Sequence, residues 1–576
     1  MLKKINFLVF AAVVINLVLN IYGNTWGLPF RWHADESVVN TLHMAGQKTL
    51  IDPIGEFLKP TGYNIFLLIT FIPAYVFLKI VNYPLGELGQ AALVSWNNVA
   101  IKFPDFAGGI YLYARVVSAV LGALCVYLIY LLGREMYEEK AGVFSAVFLA
   151  ISMGFIAVNH FAQYVSLLNL LIILVLLLCV KAQKSDSAAD MRKLLFSAFL
   201  FSGFAASVHI NAPLLLLPLS LTFIYSFNKL ANKFSLKVLI LFGCGLAYIT
   251  GILLGTPSLL TNLKDYLSGT AYGGIVSANT IFGSAPIFIG PVNYFFEVLS
   301  IFGLPIFCLV CLGLARWIFS PADISRPQIT VCSFILSYYF IMTVLNQDKY
   351  PQDKYIIAII PLLAIFAGKF ASDLIKARAF PRAAKFLFFS LIITYSIFYS
   401  IKADRYFLSG DTRYASTKWV YQNVPSGAKL EVFDQLDYVL SSSLIKEYEI
   451  IYLGRSSKKF YGKNFFKWNK VAGREDYMKM ISENDSSSDY IIIDLNDVKG
   501  FLASDSVSHI AWLNEYVRAL FRNQKNYRLV KKFEPQNKKI ENNYGLVYFK
   551  NMLWDPIPCY RTTANTIYIF KKIGFN

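Results

Sequence analysis

Two acidic residues stand side by side at Asp35 and Glu36, and His33 precedes them in the run Arg31-Trp-His-Ala-Asp-Glu36. Neighbouring side chains on a helix diverge, so one carboxylate can take a proton from a hydroxyl while the other anchors the segment. The same pair could instead cap a helix over Ser37–Gly46 from a solvated loop. Lys59, followed by Pro60, and Lys354, followed by Tyr355, are compact charges suited to a phosphate. Either lysine could equally snorkel at a lipid boundary. Arg115 falls inside an apolar run, where an ionisable group is costly unless paired or functional. Tyr63, His160 and His209 are further candidates to line a site. No cofactor is required by this set. A divalent metal is compatible with three histidines but not indicated, because no zinc-type Cys/His spacing occurs. No P-loop, Gly-x-Ser-x-Gly or His-Glu-x-x-His motif is present.

These residues must be positioned by a membrane. The 576-residue chain is 56% hydrophobic and 16% charged, well below the roughly 25% charged residues of soluble domains. Apolar runs long enough to cross a bilayer recur up to residue 401 and stop there. About eleven spans are expected, near 6–22, 111–132, 141–158, 164–182, 194–209, 211–227, 236–256, 292–316, 328–346, 354–373 and 384–401. The loops alternate in charge. One set carries Lys3, Lys4, Arg134, Lys140, Lys181, Lys184, Arg192, Lys193, Lys229, Lys233, Lys237, Arg316, Arg326, Lys369, Lys376, Arg378, Arg382 and Lys385. The short loops opposite carry only Lys264, Lys349 and Lys354. Lys and Arg favour the cytoplasmic side, so the N-terminus is expected inside and the C-terminus outside. Most of the net charge of +18 is thereby assigned to membrane loops rather than to nucleic acid. An apolar stretch at 63–81 would invert this order if it crossed alone, so it is read as re-entrant or interfacial. A hidden second crossing within 85–101 is the other solution.

The expected architecture is a polytopic α-helical membrane protein with a C-terminal soluble α/β domain. Residues 1–401 form the membrane part, with large outer loops at 23–110 and 257–291; residues 402–576 form an extracytoplasmic domain. Strands are expected at Lys429–Phe433, Tyr448–Tyr452, Tyr490–Asp494, Tyr527–Phe533 and Thr566–Phe570, and helices at Ser416–Asn423 and Ser508–Arg522. Six of the seven cysteines sit in apolar runs and only Cys559 is in the soluble part, which therefore holds no internal disulfide.

Several short elements occur in the order seen in a known family. They are His33-Ala-Asp35-Glu36; Asp52-Pro53-Ile-Gly-Glu-Phe57; Lys59-Pro60-Thr-Gly-Tyr63; Arg115-Val-Val-Ser-Ala119; Lys354-Tyr355 through Pro361; and Asp411-Thr-Arg413 through Trp419. The chain resembles the GT-C superfamily of membrane glycosyltransferases. More narrowly, it is similar to bacterial relatives of dolichyl-phosphate-mannose protein mannosyltransferases and lipid A aminoarabinose transferases. The resemblance implies an inverting enzyme in the cytoplasmic (inner) membrane. Its donor would be a polyprenyl-phosphate-linked sugar, and its acceptor a protein, lipid or glycan. By the same resemblance Asp35 would be the base and Glu36 would organise its loop. Lys59, Arg115, Lys354 and Tyr355 would hold the donor phosphate. The chain departs from the pattern where Gln163-Tyr164-Val165 replace an expected Asp, where His209 replaces a Lys, and where Lys354 replaces an Arg. A transporter or flippase, or a catalytically silent subunit, is the competing expectation.

Overall fold

A computed structural model describes residues 7–28, 36–46, 61–84, 102–261, 289–320, 324–345, 355–378, 381–408, 412–433, 447–453, 488–494, 518–522, 526–534 and 566–574, with a few single positions between. The membrane part comprises α1 (Phe7–Ile21), α2 (Val38–Gly46), α3 (Gly62–Ile80), α4 (Pro104–Met136), α5 (Glu139–Ala150), α6 (Met153–Val158), α7 (Tyr164–Lys184) and α8 (Ala188–Val208). It continues with α9 (Leu216–Leu230), α10 (Phe234–Gly255), α11 (Ile289–Phe302), α12 (Leu304–Phe319), α13 (Arg326–Leu345), α14 (Ile360–Lys376) and α15 (Arg382–Leu408). Among the described residues nine helices are long and apolar enough to cross a membrane; Phe7–Ile21 and Leu304–Phe319 are shorter apolar helices.

Two stretches expected as single spans are broken. The 141–158 run is divided at Ile151 and Ser152 into α5 and α6. The 292–316 run is divided at Gly303, whose φ of 73° belongs to the left-handed region that glycine tolerates, and Pro305 opens α12. The 63–81 stretch, expected to be re-entrant or interfacial, is one continuous helix with Pro73 inside it, long and apolar enough to cross. The lone Asn residues of the first span also find a reason. Asn16 Nδ2 donates to Ala150 O (3.0 Å) and Asn20 Nδ2 to Asn16 Oδ1 (2.7 Å). The first bond is interhelical and the second supports it from within α1; in lipid, interhelical bonds replace the hydrophobic effect as glue.

Close helix crossings set the frame. Gly203 of α8 faces the Tyr248 carbonyl of α10, Gly251 faces the Leu200 carbonyl, and Gly255 faces the Ser207 hydroxyl. Small residues four apart on both helices let the backbones touch. The end of this crossing receives α3, whose N-cap Thr61 donates to Gly255 O (2.8 Å), while Gly62 lies against Ser207.

The C-terminal part is a helix α16 (Thr412–Asn423) on a five-stranded sheet: β1 (Lys429–Phe433), β2 (Glu449–Leu453), β3 (Tyr490–Asp494), β4 (Tyr527–Phe533) and β5 (Ile567–Lys572), in the order β2-β1-β3-β5-β4. β1 runs parallel to β2 and β3, whereas β5 is antiparallel to β3 and β4. Every residue of the central strand β3 is buried. Val420 and Val424 of α16 pack on Leu430, Val432, Ile492 and Ile569. The expected second and fifth strands each begin one residue later than their pattern suggested, at Glu449 and Ile567. Of the expected helix over Ser508–Arg522, only the last residues, from Arg518, are described.

The glycine crossing yields a stability prediction. Gly251→Val should destabilise the protein by about 1–3 kcal/mol, since a side chain there overlaps backbone. Gly245→Val on the same helix, where a Cβ meets nothing within 4 Å, should melt like the wild type. Thermal unfolding in detergent reads both, and equal melting of the two variants would contradict the packing argument.

Candidate active site at the loop end of the bundle

The longest helix locates the membrane boundary. α4 has 33 residues, or about 50 Å, against a hydrocarbon core of about 30 Å. Arg134 marks its basic end. Counting back about 20 residues from there places Arg115 at the opposite boundary.

Arg115 is fully buried and nearly saturated. Its Nε donates to Glu36 Oε1 (2.8 Å) and its Nη2 to Glu36 Oε2 (3.1 Å), a two-pronged ion pair. Its Nη1 donates to the carbonyls of Asn24 (2.8 Å) and Trp26 (2.6 Å) in the turn after α1. Glu36 Oε1 also accepts from Ala162 N (3.2 Å), and Ser37 N donates to Ala162 O (2.9 Å). Four distant segments therefore meet at one ion pair. Arg115, expected among the phosphate-holding residues, makes these contacts in the structure. Its donors are spent on Glu36 and two carbonyls, so it shapes the loop.

The rest of the neighbourhood is assembled around this pair. Thr41 of α2 donates to the Ser37 carbonyl and lies 3.5 Å from Asn64 Oδ1 of α3. Tyr63 is buried, its hydroxyl 3.4 Å from Ser118 Oγ, one helical turn past Arg115. The start of α3 thus lies beside the Glu36–Arg115 pair. His209 stacks on Tyr164 at the mouth of α7, with ring centroids 4.6 Å apart. Half-buried Tyr355 leads into a short 3-10 turn, Ile357–Ile359, ahead of α14. His33, Asp35, Lys59 and Lys354 lie outside the described residues.

Sequence reasoning missed three members. Trp26 is sandwiched between guanidiniums, 5.2 Å from Arg115 and 5.5 Å from Arg413 at the start of α16, and meets Phe161 edge-on. Arg413 is fully buried. Asp404, beyond the span 382–402, is 1% exposed and 4.0 Å from His160 Nε2. A lone Trp and a charged residue after the last span carry no local signal of such partners. Gln163, in place of an expected carboxylate, is buried with its Oε1 unpartnered. A separate cavity of about 400 Å³ lies at the far, basic end of α4, lined in part by Tyr137, Arg316, Trp317 and Lys369. There Arg316 and Lys369 already share the Asp373 carboxylate, and the candidate chemistry is at the other end.

Comparison with known proteins agrees with this frame. Residues 107–254 match the family model described as dolichyl-phosphate-mannose-protein mannosyltransferase. No curated protein sequence matches the chain. The oligosaccharyltransferase of Archaeoglobus fulgidus tethered to an acceptor peptide superposes with a TM-score of 0.52 at 13% identity, covering 98% of this chain and 89% of its own. The oligosaccharyltransferase AglB of the same organism, in complex with an inhibitory peptide and a dolichol-phosphate, gives 0.51 at 13% identity, covering 95% and 77%. ArnT of Cupriavidus metallidurans gives 0.48 at 12% identity, covering 87% and 94%. At these identities the oligosaccharyltransferase likeness establishes the fold. The chain is a multi-pass membrane protein that shares the fold of these oligosaccharyltransferases.

A buried ion pair stripped of one partner leaves an uncompensated charge. Arg115→Met and Glu36→Leu should each destabilise by about 3–5 kcal/mol, and the double variant by clearly less than their sum. Unfolding in detergent measures the cycle; simple additivity would mean the pair is not coupled.

Proposed function

We propose that this chain is an inverting glycosyltransferase that moves a sugar from a polyprenyl-phosphate donor to an acceptor on the outer face of the cytoplasmic membrane. The observation that carries this reading is the clamp on Glu36. It spends one carboxylate of the Asp35–Glu36 pair on structure and fixes the segment at the membrane boundary. The family-model match over the helices that hold Arg115 and His160, and the shared fold, support the same reaction class.

Chain continuity supplies the other parts. Asp35 is one residue, about 3.8 Å of Cα spacing, from the anchored Glu36. Lys59 is two residues before Thr61, which is tied to Gly255 O. Lys354 directly precedes Tyr355. In the proposed reaction Asp35 accepts the proton of an acceptor hydroxyl, and that oxygen attacks the anomeric carbon from the face opposite the phosphate. The bond from the anomeric carbon to the phosphate oxygen breaks, and polyprenyl phosphate leaves with the electron pair. Lys59, Lys354 and Tyr355 stabilise the charge developing on the phosphate. A lipid-linked phosphate stays at the bilayer surface, which is where Arg115 places Glu36. The acceptor is a protein, lipid A or another glycan. Arg413, stacked on Trp26, brings the stem of the sheet domain to the same end as Glu36, so that domain lies over the site and is suited to acceptor binding.

Purified protein incubated with a panel of polyprenyl-phosphate sugars and membrane acceptors should transfer one of them. Asp35→Asn should lower kcat by about 10²–10⁴-fold, while Lys59→Ala should lower kcat through lost stabilisation of the developing phosphate charge and also raise the donor KM. Full turnover by Asp35→Asn would refute the base assignment, and a wild type silent with every donor would favour a non-catalytic subunit. For orientation, a cysteine at Lys184 should resist an impermeant thiol label in intact cells; ready labelling there would invert the topology.

A further inference from the structure

His160 and Asp404 pose complementary demands. Its Nε2 lies 2.8 Å from the Tyr22 carbonyl and its Nδ1 lies 3.1 Å from the Ile156 carbonyl. Carbonyl oxygens only accept. A neutral imidazole has one N–H, so in either tautomer one ring lone pair would press against a carbonyl lone pair. An imidazolium donates to both. Asp404 poses the converse problem: among the described residues, both of its oxygens are buried without a hydrogen-bond partner. A protonated Asp404 finds no acceptor for its O–H among the described residues, whereas an ionised one has a counter-charge in His160, 4.0 Å away.

Opposing effects are present. Burial pushes the His160 imidazole down, to about 4, against the raising effect of the Tyr22 and Ile156 carbonyls and with Arg115 of α4 adding repulsion. Burial likewise pushes the Asp404 carboxyl up, to about 8. Each of these shifts penalises a single charge taken out of water. Moving one proton from Asp404 to His160 creates a net-neutral pair and satisfies both carbonyls at once. Arg115 is itself neutralised by Glu36 in the two-pronged pair. The approach of the two groups to 4.0 Å adds the mutual attraction that each group's separate desolvation leaves out.

The consequence reaches the candidate site. His160 opens the turn whose Ala162 N–H binds Glu36 and whose Ala162 carbonyl receives Ser37 N. Through Tyr22 and Ile156 it ties that turn to the end of α1 and to α6. Asp404 ends the last span and leads, within a few residues, to Arg413 on Trp26. We propose that Asp404 is a positioning residue: ionised, it holds His160 as an imidazolium and so fixes the Phe161-Ala162 turn that orients Glu36 and, next to it, Asp35. The role in transfer rests on the proposed function above; the charge state of the pair does not.

The test uses the full chain in proteoliposomes, with ¹⁵N,¹³C-histidine and magic-angle-spinning NMR, and His160→Gln identifies its signal among five histidines. Both ring nitrogens of His160 should be protonated at pH 7. Asp404→Asn should return the ring to a neutral tautomer, and Asp404→Glu should keep it charged. A neutral His160 in the wild type, or an imidazolium that persists in Asp404→Asn, would overturn the pairing. In the transfer assay Asp404→Asn should lose about ten- to a hundredfold in kcat with the donor KM little changed, as expected when reacting groups are displaced rather than removed. Unchanged kcat beside a neutralised ring would overturn the positioning role. A wild type that transfers no sugar yet shows the imidazolium would sink the enzymatic reading and leave the ion pair standing.

Discussion

The Glu36–Arg115 ion pair is the constraint on which this end of the molecule depends. Taking two full charges out of water costs several kcal/mol per ion, and the mutual attraction offsets that only with good geometry and further hydrogen bonds. Here the geometry is two-pronged, and the remaining hydrogen-bonding capacity goes to Asn24 O, Trp26 O and Ala162 N. Because the charges tolerate few arrangements, the turn after α1, the start of α2, the middle of α4 and the turn before α7 are held in one relation. A merely apolar contact would bury similar area without fixing that register. At a membrane boundary this matters more, since lipid gives helices little hydrophobic reason to prefer one orientation.

A second layer of charge ties the sheet domain to the same point. Trp26 lies between Arg115 and Arg413, and cation–π contacts of this kind are worth up to about 2 kcal/mol each when desolvated. Asp404 stands at the end of the span that feeds this stem. The loop carrying Glu36, the last span and α16 thus share one polar core at the bundle's end. Movement of the sheet domain would be felt at the acidic loop.

Beneath this core the bundle is built for close approach. The α8–α10 crossing and the tie of Thr61 to Gly255 set where α3 begins, and so where the Lys59-Pro60 segment joins it. The polar ladder of Asn16 and Asn20 plays the same part for α1. Placement of the acidic loop and placement of the lysine segment therefore come from different crossings that meet at Tyr63 and Ser118.

Local pattern is enough for some of this. Apolar runs of bilayer length, basic residues on alternate loops and the alternation in Lys429–Phe433 are read within a few residues of each position, so the sequence itself discloses a membrane bundle with an α/β tail. The Asp35-Glu36 pair also stands out in the sequence as a candidate. What it does not disclose is which acid is spent on structure: Glu36 meets Arg115 across 79 residues and Ala162 across 126. Nor does it disclose that Asp404 faces His160, or that an 18-residue apolar run breaks at Ile151. Burial and partner choice are properties of the assembled chain. A buried charge is tolerable only beside its counter-charge, and only the tertiary structure brings the two together.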